Sequence, residues 1–365
     1  MGRSQPAAAQ QPNPNSVDMQ PRFFFGLKGD VNNNVIFLDD NIVCYPCGHN
    51  VVVYYITEKI QRFIPGIEGS QGITALALSP SRKFLAVCEK GNHAICTVYN
   101  IGKFLELSVE KRTKSIFDIP PVKKRKVLLS AEDPAKEFIC VDFCAKNEKH
   151  LVTLSGKSEP RVTIWHWEKM RCVSTCEILP FDFRKQTAEQ VSFSTQDQNV
   201  VVVTGRELYR FIENTGSTMK FKPVVIKRTD AEQAQHPSDN YTCHKWLNDG
   251  SFIICNDDGQ ILRIDGATGE YKNQQTLNDP RKEPFAIHSI TTFSGVSVDS
   301  AGGPAAAAPG RSGGNNKSGF IVAGVSGRLR VFVKSDLEPN KRPYVRVDTT
   351  DDLVPAQVRD DNQAA

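Results

Sequence analysis

Six times between residues 34 and 333 the chain repeats one order of events: an apolar run, a turn, a second apolar run, a tighter turn and a third run. The copies span 34 to 56, 73 to 101, 138 to 169, 191 to 213 and 241 to 271, with a last one that begins at AIHSITTFSG and resumes at GFIVAGVSGRLRVFV (319 to 333). β-Branched and aromatic residues crowd the runs, as strands require. The clearest copy closes its turns with Asn248-Asp249-Gly250 and Asp257-Asp258-Gly259, where glycine accepts the positive φ of a tight hairpin. A period of about 40 to 50 residues marks stacked units. With no long amphipathic helix between copies, the reading is an all-β fold, a β-propeller with six recognisable blades. A β-sandwich built of hairpins is the rival, and the recurrence of long turn then tight turn in register speaks against it.

The repeat sets the organisation. Residues 1–21 read as a disordered tail, 22–333 as the propeller, and 334–365 as a polar tail or the start of a further region. Two long connections interrupt the pattern, at 102–136 and in the Gly/Ala/Pro/Ser segment 299–318, which cannot build a packed core. Propellers avoid open edges by closing the ring or by pairing first and last strands in one blade. Six units and a polar tail leave three outcomes open: six blades, seven with one irregular, or an incomplete ring.

Composition narrows the function classes. At 365 residues with 39% hydrophobic residues the chain can bury a real core. Lys+Arg of 45 against Asp+Glu of 41 gives +4, too small a surplus for nucleic-acid binding through a broad field. No run of eighteen apolar residues and no secretory signal is present, so no membrane partner is expected and the chain reads as intracellular. Pro6 stands where a myristoylation motif wants Ser or Thr. The ten cysteines fall mostly inside apolar runs, as Cys88, Cys140, Cys243 and Cys255 do, and read as reduced core thiols.

Several constellations invite chemistry. Cys44-Tyr45-Pro46-Cys47-Gly48-His49 offers soft ligands for zinc or a redox pair, but it has no second Cys/His pair and sits at a hairpin turn. Asp142, His150 and Ser155 form a triad by residue type only, with no nucleophile elbow. No phosphate-binding loop exists, and the Asp257-Asp258-Gly259 turn lacks the alternating ligands of a calcium loop. No catalytic residue, metal or cofactor is therefore expected. Trp165 and Trp167 lie two apart and read as core on one apolar face. The basic cluster Lys111, Arg112, Lys114, Lys123, Lys124, Arg125 and Lys126 reads as a solvated loop, a nuclear address or a partner contact.

Ser79-Pro80-Ser81-Arg82, Ile164-Trp165-His166 and Ile264-Asp265 each keep part of the WD-repeat pattern, and no copy keeps an intact Trp-Asp pair. The blades are thus WD40-like but divergent. Phe25-Gly26-Leu27, Phe63-Ile64-Pro65-Gly66 and Ser70-Gln71-Gly72, within residues 24 to 87, are similar to the start of the cilia- and flagella-associated protein 57 family, and the similarity extends more weakly to about residue 333. That resemblance implies a non-enzymatic scaffold of the motile-cilium axoneme that helps place or regulate inner dynein arms on doublet microtubules. It would make the basic cluster a contact for acidic tubulin surfaces. Members of the family are usually longer, with further repeats and a coiled coil that this sequence does not contain. The alternatives are a cytoplasmic WD-repeat adaptor outside the cilium, a zinc or redox protein using Cys44 and Cys47, and a propeller hydrolase with a channel lined by His, Asp or Glu.

Overall fold

The computed structural model describes residues 23–105, 124–129, 135–156, 160–178, 185–227, 230, 238–276, 286–296, 317–324, 329–334 and 344–348. They form six four-stranded antiparallel sheets, each made of four strands consecutive in sequence. Sheet 1 contains β1 (Ile36–Asp39), β2 (Ile42–Cys47), β3 (Asn50–Tyr55) and β4 (Ile60–Pro65). Sheet 2 contains β5 (Gly72–Leu78), β6 (Phe84–Lys90), β7 (Ile95–Asn100) and β8 (Lys124–Leu129). Sheet 3 contains β9 (Phe138–Phe143), β10 (His150–Ser155), β11 (Arg161–His166) and β12 (Arg171–Glu177). Sheet 4 contains β13 (Thr187–Phe193), β14 (Val200–Arg206), β15 (Leu208–Asn214) and β16 (Met219–Lys222). Sheet 5 contains β17 (Tyr241–Trp246), β18 (Phe252–Asn256), β19 (Gln260–Ile264) and β20 (Tyr271–Thr276). Sheet 6 contains β21 (Ile287–Val296), β22 (Lys317–Gly324), β23 (Leu329–Lys334) and β24 (Tyr344–Asp348).

The first strands pack against one another in order, β5 on β9, β9 on β13, β13 on β17 and β17 on β21. This is the blade arrangement of a β-propeller, and each sequence copy is one blade. Every copy contains a fourth strand, where the sequence shows only three runs. The reason lies in burial: β18, third in from the rim, is buried along its whole length, whereas β12 and β16 bury at most one residue each. A strand at the outer edge lacks the alternation that marks a half-buried one. Two of these strands occupy segments the sequence assigns otherwise: β8 lies in the connection 102–136, and β24 in the polar segment after 333.

Side chains alternate across each strand, so every blade has two faces. The core consists of five apolar clusters, each between two neighbouring sheets. Ile42, Cys44 and Val53 of sheet 1 meet Ile73, Leu76 and Leu85 of sheet 2. Ala75, Ala86 and Val98 on the other face of sheet 2 meet Phe138, Leu151 and Trp165 of sheet 3. Val152 and Ile164 meet Val191 and Val203, Val202 and Phe211 meet Phe252 and Leu262, and Ile253 and Cys255 meet Phe320 and Phe332. Sheets 2 to 5 are therefore buried on both faces. Trp165 and Trp167 are both core, as expected, with Trp165 on β11 and Trp167 opening a short 3-10 turn just after the strand ends at His166.

Candidate functional site

The propeller axis is lined by a device repeated in five sheets. In each, the pairing of the first two strands slips by one residue near the start of the first strand, between Ile73 and Ala75, Phe138 and Cys140, Ala188 and Gln190, Tyr241 and Cys243, and Ile287 and Ser289. A β-bulge of this kind leaves one residue out of the ladder and re-aims its side chain. The extra residues are Thr74, Ile139, Glu189, Thr242 and His288, one per blade. Nothing in the sequence marks them, because a bulge shifts register by one position inside an otherwise ordinary apolar run.

Thr74, Ile139 and Glu189 border an axial cavity of about 730 Å³, which Lys28, Lys90 and Glu137 also line. Lys90 and Glu137 form an ion pair at 3.2 Å between sheets 2 and 3. Partial burial pushes the Glu189 carboxyl up, against the opposing effects of Thr187, Arg206 and His288. The threonines act as fasteners: Thr74 Oγ1 donates to Phe138 O at 2.6 Å, and Thr242 Oγ1 donates to Ile287 O in the equivalent place. In sheets 3, 4 and 6 the bulge presents an apolar, an acidic and a basic side chain instead. The opening is thus chemically varied while its geometry is constant.

Residues 23–32 cross sheet 1 and end at the axis. Phe24 N donates to Gln61 Oε1 at 2.7 Å, Gln61 Nε2 donates back to Phe24 O at 3.1 Å, and the Phe24 ring meets Phe63 edge-on at 4.6 Å. Lys28 N donates to Pro46 O, and Lys28 Nζ to Ile73 O at 2.7 Å. Asn32 then bridges Ala75 in parallel with β5. A second cavity of about 370 Å³, bordered by Phe25, Leu27, Cys47 and His49, adjoins the first through Lys28, Gln71 and Gly72. Together they form a surface that is apolar at one end and charged at the other.

Two ionisable groups are built into the blade contacts behind the axis. His244 is buried between sheets 4 and 5, with Nε2 2.7 Å from Ser192 Oγ and Nδ1 2.7 Å from Thr204 Oγ1; Trp246 Nε1 donates to Ser192 Oγ at 2.9 Å. A neutral ring satisfies both hydroxyls, one nitrogen donating and the other accepting. Burial, helped by the Lys245 charge, holds His244 down to about 3. Asp142 Oδ2 accepts Phe193 N–H at 2.9 Å, joining sheets 3 and 4, and desolvation pushes its carboxyl up to about 6 despite that bond. Gln190 completes the set by pairing its amide with both backbone groups of His244.

The residues singled out from sequence fall in different places. Cys44 and Cys47 are three apart on β2, so they project from opposite faces. Cys44 is fully buried against sheet 2, where desolvation raises its thiol to about 12, while Cys47 lies at the hairpin turn and donates to Phe25 O. They cannot ligate one ion or form a redox pair, which corrects the zinc and redox reading. Among the described residues no group of three His, Cys, Asp or Glu side chains is placed to hold a metal ion. Asp142 serves Phe193, His150 stacks edge-on with His166, and Ser155 Oγ accepts Arg161 N–H, so no relay exists among the three. Asp257 and Asp258 accept from Ser238 and Asn240, which makes their turn an anchor for the entry to sheet 5.

Of the basic cluster, Lys111, Arg112, Lys114 and Lys123 lie outside the described residues. Lys124, Arg125 and Lys126 are on β8, the rim strand of sheet 2, and not in a loop. Cationic residues on an edge strand also discourage edge-to-edge association.

None of the ten cysteines forms a disulfide, and Cys172 is the exposed one while Cys44, Cys88, Cys96, Cys140, Cys144, Cys243 and Cys255 are buried. Brief alkylation of the native protein followed by peptide mass mapping is expected to label Cys172 first. Labelling of Cys44 at the same rate would contradict its burial against sheet 2.

No family model matches the chain. Among curated proteins it is similar to cilia- and flagella-associated protein 57 of Mus musculus, 30% identical over 249 residues, covering 68% of this chain and 18% of that protein. It is 24% identical over 311 residues to cilia- and flagella-associated protein 57 A of Tetrahymena thermophila, covering 76% of this chain and 24% of the relative. Cilia- and flagella-associated protein 44 of Mus musculus matches at 23% over 244 residues, covering 67% and 12%. The chain therefore spans less than a quarter of the length of each relative.

Proposed function

We propose, from the homology of this propeller to cilia- and flagella-associated protein 57, that the chain is a WD-repeat scaffold of the ciliary or flagellar axoneme, working through protein contacts and without catalysis. The observation that carries this reading is the 30% identity to the mouse protein over 249 residues, most of the propeller. The blades themselves support a binding role: their buried polar chemistry goes into interblade fastening, and the bulge residues differ in chemistry from blade to blade. No helix among the described residues is long and apolar enough to cross a membrane. The finer reading, help in placing or regulating inner dynein arms on doublet microtubules, follows from the family resemblance. In it the basic cluster on and before β8 meets acidic protein surfaces.

Expression of the tagged chain in ciliated cells, followed by detergent extraction, tests the assignment. Retention along the axoneme is the expected result. A signal that washes out with the soluble fraction would favour a cytoplasmic adaptor and sink the axonemal reading. Replacing Lys123, Lys124, Arg125 and Lys126 by Gln is then expected to weaken retention, with the difference from the parent shrinking as salt is raised.

A further inference from the structure

We infer that the axial cavity is a binding site for an arginine or lysine side chain carried on an extended segment of a partner protein, with Glu189 as the receiving carboxylate and the adjoining apolar cavity holding a second side chain of the same segment. Five ionisable residues line the axial cavity, Lys28, Asp30, Lys90, Glu137 and Glu189. Both cations already face carboxylates, Lys90 with Glu137 at 3.2 Å and Lys28 with Asp30 at 3.8 Å, and Lys28 Nζ also donates to Ile73 O at 2.7 Å. Glu189 has no such partner among the described residues: its carboxylate accepts only from Thr187 Oγ1, at 3.3 Å. The lining thus carries one negative charge in excess, and it is the charge that the cavity's own residues do not neutralise.

Local structure readies that carboxylate for a cation. Glu189 is the bulge residue of β13, held out of the ladder between Ala188, which packs between sheets 3 and 4, and Gln190, which clasps the backbone of His244. The backbone is fixed on both sides while the side chain stands in the cavity. Desolvation is the largest influence on the Glu189 carboxyl and raises it above the usual carboxylate range, with Arg206 and His288 acting against it without forming an ion pair. A carboxylate that is partly desolvated and has no close counter-ion gains more from an arriving cation than a fully solvated one does. Ile139, the equivalent bulge residue of sheet 3, lines the same cavity. The hydrocarbon stem of Lys or Arg lies along such apolar surface while its charged end finds the acid. Arginine fits better, because its fork can engage both carboxylate oxygens.

The size of the cavity points to a polypeptide. At about 730 Å³ it falls within the range of about 300–1,000 Å³ in which pockets enclose whole ligands, so a side chain enters with part of its backbone. Through Lys28, Gln71 and Gly72 it continues into the cavity of about 370 Å³ bordered by Phe25 and Leu27, which are 89% and 51% exposed. A free small cation would use only the charged end. A segment with a basic residue and an apolar residue a few positions apart uses both. The inference rests on the geometry of the axis and stands whether or not the protein is axonemal.

The test titrates the full chain into fluorescein-labelled, amidated peptides in which Leu and Arg are separated by two, three or four glycines, read by fluorescence anisotropy. Saturable binding is expected for at least one spacing. Replacing the peptide Arg by Gln should weaken it about tenfold, as should Glu189→Gln in the protein, with the melting temperature changed by less than about 1 °C. Combining the two changes should cost little more than either alone, since both remove the same contact. Glu207→Gln, at an exposed position on the turn between β14 and β15 and outside the cavity, should leave binding unchanged. Absence of saturable binding at every spacing, or equal affinity of the parent and Glu189→Gln, would overturn the inference. Displacement of the peptide by spermidine at the same or lower concentration would replace it with a site for free small cations. Tighter binding of a peptide with Glu in place of Arg would replace it with an anion site built on Lys28 and Lys90.

Discussion

Phe252→Ala is expected to destabilise the protein by about 4 kcal/mol, read as a drop of roughly 10 °C in the melting temperature. Phe252 is fully buried on β18, where it packs against Leu262 and Val202 in the cluster between sheets 4 and 5. Its ring centroid lies 4.6 Å from that of Trp246, 6.3 Å from that of Tyr209 and 6.5 Å from that of His244. Truncation removes the transfer free energy of the ring and leaves a cavity that three aromatic neighbours of fixed position cannot close. Tyr209 is further held by its hydroxyl, which donates to Gly269 O at 2.8 Å. Met170→Ala is the control: Met170 is 53% exposed, and its loss should change stability by less than about 0.5 kcal/mol. Equal losses for the two variants would contradict the placement of Phe252.

The second large effect is hidden in the parent protein and uncovered by substitution. His244 titrates near 3 when folded and near 6.5 when unfolded. The unfolded state therefore binds the proton first, and the stability from neutral His244 is complete above about 6.5 and lost as the pH falls toward 3. Asp142 behaves in the opposite way, with a folded value of about 6 above an unfolded one of about 3.9. Its contribution is complete below about 4 and lost as the pH rises through 6. Between pH 6 and 4 the two slopes, each at most about 1.4 kcal/mol per pH unit, oppose one another. The parent is expected to show a nearly flat stability profile there by urea titration. Asp142→Asn keeps an oxygen for Phe193 N–H and removes the titration, so its stability should fall by about 2 kcal/mol between pH 6 and 4. A flat profile in the variant would mean that His244 is not held neutral.

The six blades were legible because their inner strands carry the apolar alternation that a buried sheet demands. YTCHKWLNDGSFIICNDDGQILRI shows this clearly: Gly250 and Gly259 adopt φ of +81° and +77° at the two turns. The rim strands were not legible, for the same physical reason in reverse. KRKVLL on β8 looks like a basic connection because the strand ends its sheet and pairs with one neighbour alone among the described residues. The axial residues were invisible for a different cause. Thr74, Glu189 and His288 reach the axis through register slips, which depend on pairing between strands and leave no trace in either strand alone. The Cys44 and Cys47 motif was misleading because a metal-ligand spacing on a loop becomes an opposite-face spacing on a strand.

Six sheets with five apolar clusters, each between neighbours in chain order, make a molecule whose parts act pairwise. Substitution in one cluster therefore acts on two blades at once: loss of Phe252 loosens sheets 4 and 5 and leaves the contact of sheets 1 and 2 to its own side chains. Side chains that span these contacts, Asp142 and His244 among them, thus act as couplings between one blade and the next.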